Sequence, residues 1–249
     1  MRIAYTNLID ATAATITETS EDVNYPVENV QDQRLAKVYH TAAVTTQTVI
    51  IDLGATAQVT MGAIIGHNIS AAASTITVAG GDTASVFATA ESLTHDAGMI
   101  LKFFSAQNHR YWQFVVDDQT NPDGYISIGR LWVGEYITVD PSSVVDFRVI
   151  KKRSDTVVYG KHRQKFADPG VGWRRFEMDF PESSASMVTA IETMYDTVGE
   201  HSSFIFANFD SDRTWSIVEP CYVSIDGEIA FTNRGGYRAT YSLAMEEDR

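Results

Sequence analysis

Cysteine is almost absent. The single thiol, Cys221, excludes an internal disulfide, and its place in the apolar stretch 218–223 predicts a packing role rather than nucleophilic chemistry. No apolar run reaches the roughly 18 residues that a membrane-spanning helix needs. The opening residues, Met1-Arg2-Ile3-Ala4-Tyr5-Thr6-Asn7, lack the charged head, apolar run and small-residue cleavage site of a secretion signal. Together these predict a soluble protein made in a cytoplasm, with no membrane partner. Basic residues are also scarce, 19 against 32 acidic ones for a net charge of −13, and such a chain repels the phosphates of nucleic acid.

Catalytic patterns are missing as a group. There is no Gly-x-Ser-x-Gly nucleophile elbow, no phosphate-cradling glycine loop and no dinucleotide fingerprint. The histidines, His40, His67, His95, His109, His162 and His201, show no zinc-ligand spacing. Asn208-x-Asp210-x-Asp212 lacks the glycine and the distal glutamate of a calcium loop and reads as a solvated turn. Asp117 and Asp118, as neighbours on a strand, point to opposite faces and do not share a substrate. The sequence therefore predicts a non-enzyme with no catalytic residue, no cofactor and no metal.

What is present is a chain rich in branched and aromatic side chains. Twelve Phe, eleven Tyr and four Trp accompany an apolar fraction of 44%, a composition that folds around a real core and favours strands. The 249 residues suggest two domains. Short β-branched runs, Thr48-Val49-Ile50-Ile51-Asp52-Leu53-Gly54, residues 61–67 and Thr75-Ile76-Thr77-Val78-Ala79, suggest a sandwich. A further pair of strands, 111–117 and 125–134, flanks the turn signal Asn121-Pro122-Asp123-Gly124. The stretch Val139-Asp140-Pro141-Ser142-Ser143 marks the boundary, dividing the chain into domains 1–143 and 144–249.

The second domain begins with a basic hairpin, 147–165, holding Arg148, Lys151, Lys152, Arg153, Lys161, Arg163 and Lys165 against the single acid Asp155. A strand follows at 173–180. Next comes one helix, capped by Ser183 or Ser184 and stopped by Gly199, with Met187, Val188, Ile191, Met194, Tyr195 and Val198 on one face. Strands are expected at 204–206, around Trp215 and over 223–231, the last broken by the hairpin-turn pair Asp226-Gly227. The terminal strand alternates Tyr237, Ala239, Tyr241, Leu243 and Met245 with polar neighbours. Residues 1–145 carry 6 basic and 15 acidic side chains, net −9, so the seven basic residues are candidate contacts to an acidic neighbouring subunit in a head-to-tail ring.

The order Asn24-Tyr25-Pro26-Val27-Glu28-Asn29, Val49-Ile50-Ile51-Asp52-Leu53-Gly54, Ile64-Ile65-Gly66-His67-Asn68, Ile76-Thr77-Val78, Arg110-Tyr111-Trp112-Gln113-Phe114 and Ile128-Gly129-Arg130-Leu131-Trp132-Val133-Gly134 resembles the discoidin, or coagulation-factor type C, family over about residues 1–140. The resemblance implies a galactose-binding-like jelly roll whose loops at one end often bind sugars or lipid headgroups. The second half, with its strand at 173–180, helix at 181–199, Phe204-Ile205-Phe206 and acid-ended terminal strand, is similar to tail-tip proteins of long-tailed bacteriophages, the distal tail and minor tail proteins. That similarity implies a tail-tube-like β domain with one packed helix.

It further implies assembly in the host cytoplasm into a virion, as a ring, usually a hexamer, around the tail channel. The ring would join tail tube to hub, fibre or receptor-binding proteins. On these grounds Gly80, Asp82, Asp118, Asn121 and Asp123 are candidate outward loop contacts. The alternative function is a carbohydrate-binding module recognising host glycans, with Tyr39, Trp112 or Trp132 stacking on a sugar ring. No sequence-specific contact with nucleic acid is expected.

Overall fold

Alternating apolar side chains favour a pleated backbone with one buried face, and the computed structural model is mainly β, with one α-helix among the described residues. It describes residues 1–139, 146–159, 161, 163, 165–207, 220–233 and 238–248. The chain divides into two compact units. One comprises Arg2–Ile137 with Ala207–Cys221, and the other Thr138–Phe206 and Tyr222–Arg249 with Met1. Most of the Pro/Ser stretch expected to separate them, residues 140–143, lies outside the described residues.

The first unit is a β-sandwich. It contains β1 (Arg2–Ala4), β2 (Thr15–Glu18), β3 (Tyr39–His40), β4 (Gln47–His67), β5 (Thr75–Gly81), β6 (Thr89–Ser92), β7 (Met99–Asp117), β8 (Ser127–Gly134) and β9 (Ile137–Thr138). Hydrogen bonding runs β3-β8-β4-β7-β5-β6, with β2 on β4. The long antiparallel pair β4–β7 crosses both layers. At its Gln47 end β4 pairs with β2 and with residues 111–116 of β7, which pair onward with β5; at its His67 end it pairs with β8 and with residues 99–103 of β7.

Two irregularities carry the pair from one layer to the other. The register breaks between Asp52 and Ala57 and again between Val59 and Met61, and such bulges bend and twist a strand. At the first break Gly54 has φ +78°, a left-handed conformation that glycine adopts without strain, and its N–H donates to the Asp52 carboxylate at 2.8 Å. Arg110 holds the same carboxylate through two bonds of 2.7 Å. The bend lets both ends of β4 face one core, in which Val49, Ile51 and Val59 join Val78, Trp112, Phe114 and Leu131.

The structure thus corrects the division of residues 48–67 into two strands. It also starts the strand expected at 111–117 twelve residues earlier, at Met99. Tyr39, Trp112 and Trp132 are buried at 1%, 0% and 1% exposure, so these three rings pack the interior and are closed to any sugar.

The second unit contains β10 (Asp146–Arg153), β11 (Thr156–Tyr159), β12 (Lys165–Asp168), β13 (Gly172–Ser184), α1 (Ala185–Val198), β14 (Phe204–Ala207), β15 (Cys221–Ile225), β16 (Thr232–Asn233) and β17 (Arg238–Glu247). Its sheet runs β10-β13-β17-β15-β14, with β16 on β17. The helix follows the sequence closely. Ser184 caps it by accepting from the Met187 N–H at 3.3 Å, Gly199 ends it at φ +52°, and Ile191, Met194 and Val198 are buried. On the sheet, Phe176, Met178 and Phe180 meet Tyr241, Leu243 and Met245 in register, and all six are buried.

The basic segment is not one hairpin. Residues 146–153 form β10 and pair along β13, because Phe147 stacks near Phe176 and Phe206 and draws the strand onto the core. Among the described residues the separate hairpin β11–β12 pairs only with itself, Thr156 opposite Asp168 through Tyr159 opposite Lys165. Arg148, Lys151, Lys152 and Arg153 therefore belong to β10, whereas Lys161 and Arg163 lie between β11 and β12, and Lys165 opens β12. After the turn at Gly227, φ +96°, residues 228–231 do not continue as strand. The strand expected around Trp215 and the turn at 208–212 lie outside the described residues.

Because Phe114 is 1% exposed inside the sandwich core, Phe114→Ala is expected to cost about 3–5 kcal/mol, the usual range for removing a buried aromatic side chain. Urea unfolding followed by circular dichroism checks this.

Candidate functional site

One end of the sandwich gathers three rings from distant parts of the chain. His40 stacks against Tyr25 at a centroid distance of 4.0 Å and against Tyr125 at 4.4 Å, with interplanar angles of 24° and 27°. The register of β3 on β8 brings them together, since His40 lies opposite Ser127, two residues beyond Tyr125. Tyr25 is placed by a tight turn. Its N–H donates to the Asp22 carbonyl at 2.8 Å, its carbonyl accepts from the His40 N–H at 3.0 Å, and the His40 carbonyl accepts from the Asp22 N–H at 2.9 Å. The Asp22 carboxylate accepts from the Asn24 N–H at 2.9 Å and closes the turn.

These residues line an open cleft of about 350 Å³ with Asp22, Thr41 and Gly124 on its walls. Tyr25 is 41% exposed, so the column of rings is open to solvent. Burial holds the His40 imidazole below its ordinary pKa, opposed by the Asp22 carboxylate. The cleft therefore offers aromatic faces, a carboxylate and an imidazole, the combination of apolar surface and directed polar groups that small polar ligands require.

The loops beneath Tyr125 are pinned by side chains. Asn68 donates to the Asp123 carboxylate at 2.8 Å and to the Tyr125 carbonyl at 3.1 Å, and accepts from the Ser127 N–H at 2.7 Å. Asp118 accepts from the Ser70 N–H at 2.8 Å, the Ser70 hydroxyl at 2.6 Å and the Asn121 amide at 2.9 Å. Two histidines clasp the residue between Asn68 and Ser70. The Ile69 N–H donates to His67 Nδ1 at 3.1 Å, which leaves the proton on His67 Nε2 to donate to the Asp96 carbonyl at 3.0 Å. His95 Nε2 donates to the Ile69 carbonyl at 2.9 Å.

The expected outward contacts divide accordingly. Asp118 and Asn121 are 1% and 6% exposed, so they hold the loop from inside and are not outward contacts. Gly80 is a buried residue within β5, where an added Cβ would come within 2.4 Å of the His109 ring; it is a packing glycine and not a loop contact. Asp82 is exposed and hydrogen-bonded to His109 Nδ1 at 2.9 Å. Asp123 is exposed on the rim of the pinned loop.

The pair Asp117 and Asp118 is separated in role, Asp117 accepting from Ser74 and Gln119 at the surface. Among the described residues no group of three metal-ligating side chains is assembled. Tyr25, His40 and Tyr125 were not singled out from the sequence; the available signal was an aromatic residue beside each turn, at Asn24-Tyr25-Pro26 and Gly124-Tyr125.

No protein-family model matches the sequence, and no curated protein matches it. Several solved structures resemble about half of the chain. The carbohydrate-binding module CpGH89CBM32-5 of Clostridium perfringens, solved with GalNAc-β-1,3-galactose, is 13% identical, covering 52% of this chain and 100% of its own at a TM-score of 0.44. Chitosan-binding module 1 of a chitosanase/glucanase from Paenibacillus sp. IK-5 is 20% identical, covering 52% and 99% at 0.43. The family 32 module of C. perfringens NanJ, solved with galactose, is 18% identical, covering 55% and 100% at 0.42.

The histidine clasp makes stability depend on pH. Burial, the largest influence, pushes the His67 imidazole below its usual range, with His95 adding repulsion and the Asp96 carbonyl opposing. A histidine with a lowered folded-state pKa binds fewer protons folded than unfolded, so its stabilising contribution is present above about pH 6.5 and falls as the pH drops below that value. The urea midpoint is expected to fall between pH 7.5 and 5. In His67→Asn, whose side-chain oxygen still accepts from Ile69 without titrating, the slope should be shallower; an unchanged slope would assign the effect to other groups.

Proposed function

We propose that this chain is a non-catalytic recognition protein whose sandwich binds glycans in the cleft of Tyr25, His40 and Tyr125. The observation that carries the reading is the stacked aromatic column open at Tyr25, flanked by Asp22. A sugar ring presents an apolar C–H face to an aromatic surface and hydroxyl groups to polar neighbours, and this cleft supplies both. Galactose-type sugars are the first ligands to test, because their axial hydroxyl leaves one ring face largely apolar. The pinned loops keep the cleft formed before binding, which lowers the ordering cost of association.

A glycan array probed with the full chain, followed by titration calorimetry on the best ligand, tests this. Tyr25→Ala and Tyr125→Ala are each expected to weaken binding at least tenfold without lowering the urea midpoint by more than a small fraction. Binding that survives both substitutions would move the site elsewhere.

A second reading is favoured by a different observation, the exposed apolar hairpin β11–β12. Here the chain is a structural component of a phage tail tip, assembling with copies of itself into a ring around the tail channel and joining tail tube to distal proteins. Under this reading the second unit builds the assembly and the sandwich contacts host glycans, within a virion. Light scattering of the purified chain is expected to report a discrete oligomer, of about six copies on the tail-tip resemblance, and a strict monomer at high concentration, with or without tail partners, would reject it.

A further inference from the structure

The hairpin β11–β12 is built like an inserting arm. Val157, Val158 and Tyr159 are 41%, 58% and 66% exposed, and Ile150 and Val171 near its base are 36% and 64% exposed. Among the described residues, these are five of the eight large apolar side chains that stand in solvent. A two-stranded hairpin is marginal by itself in water and leaves its edges unpaired, an arrangement that proteins avoid unless something covers it. Past Tyr159 the charge has one sign, with Lys161, Arg163 and Lys165 before the next acid at Asp168.

That charge decides how the hairpin can be covered. Twofold pairing with the same hairpin of another copy would bring Lys161 and Arg163 of both copies, four positive charges, around one contact, and like charges juxtaposed at an interface are costly. The covering surface must therefore be a different one, with the opposite charge. The second unit carries such a surface on the sheet face turned away from Phe176 and Met245. A cleft of about 300 Å³ is lined there by Glu177, Asp179, Asp226 and Glu228, with Arg148 and Arg175 as its basic residues. Arg175 is already held by Asp226 at 2.8 Å and lies 3.5 Å from Glu177. Glu228 stands exposed on the rim. Ile150, opposite Arg175 in the β10–β13 register, gives the same face an exposed apolar residue.

We propose that the hairpin tip of one copy seats in this acidic cleft of a second copy, Lys161 and Arg163 meeting the carboxylates while Val158 and Tyr159 leave water. The inference rests on the self-assembly reading and names its two surfaces. Because the surfaces differ, the contact repeats head to tail and generates a closed ring or an open filament. Arg148 lines the receiving cleft, and Lys152 pairs with Glu246 on β17. Neither belongs to the inserting tip, which narrows the original set of seven basic residues.

Two charge reversals test it in the full chain by light scattering at low salt: Lys161→Glu with Arg163→Glu on the tip, and Glu228→Lys at the cleft. Each variant alone is expected to run as a monomer at concentrations where the unaltered chain is oligomeric, with an unchanged urea midpoint. Mixed in equal amounts, the two should reassemble, since every contact in an alternating array again joins opposite charges. If Glu228→Lys alone keeps the original mass, or mixing restores nothing, the proposed contact is wrong while self-assembly stands. If the unaltered chain is monomeric at every concentration and with added tail partners, the contact and the assembly reading fall together.

Discussion

The sandwich depends on the pairing of β4 with β7. Fourteen residue pairs in register tie these strands together, and both layers hang from them: β2 and β5 at one end, β8 at the other. Backbone donors along a strand this long must all be paired or reach water, so β4 and β7 cannot both stay straight and still cover one core. The bulge at Gly54 resolves that conflict. It changes direction where the Asp52 carboxylate can hold the Gly54 N–H and Arg110 can hold the carboxylate. The Arg110 guanidinium, the largest influence, brings the Asp52 carboxyl down to about 2; it therefore stays ionised throughout the neutral range.

The candidate cleft inherits its geometry from that frame. The β8 strand is registered by β4 and in turn registers β3, placing His40 beside Tyr125. Asp118 and Asn121 do the rest, each hydrogen-bonded to backbone and to another side chain, as burial of polar groups demands. Asp118 and Asn121 are part of this scaffold, which is why residues of loop-forming type at a turn proved to be interior supports. The groups that line the open cleft are instead those whose rings have no interior to fill.

Where local patterns settle a structure, the sequence was legible. The helix at 185–198 was readable from its cap at Ser184, its apolar stripe and its stop at Gly199. The terminal strand was readable from the alternation of Tyr241, Leu243 and Met245. Continuity through Gly54 was not, because a glycine after a β-branched run reads as a stop unless a bulge is foreseen. The early part of β7 was hidden by Lys102, Gln107 and Asn108, which break the apolar period while the backbone stays paired to β4. The cleft was illegible for another reason: Tyr25 and Tyr125 are a hundred positions apart, and only the β3–β8 pairing makes them neighbours. The basic segment was visible as charge, but its division between an edge strand and a free hairpin depended on Phe147 meeting Phe176.

The register breaks in β4 carry one more consequence. A one-residue slip in a strand turns every side chain to the other face, so a sandwich made from unbroken strands would pass any change in length from one layer to the next. Here β4 is re-registered against β7 at two points before it reaches β8. The two layers are therefore uncoupled in phase. Changes of length between Asp52 and Ala57 can be absorbed in the bend, leaving the pairings beneath His40 and Tyr125 in step.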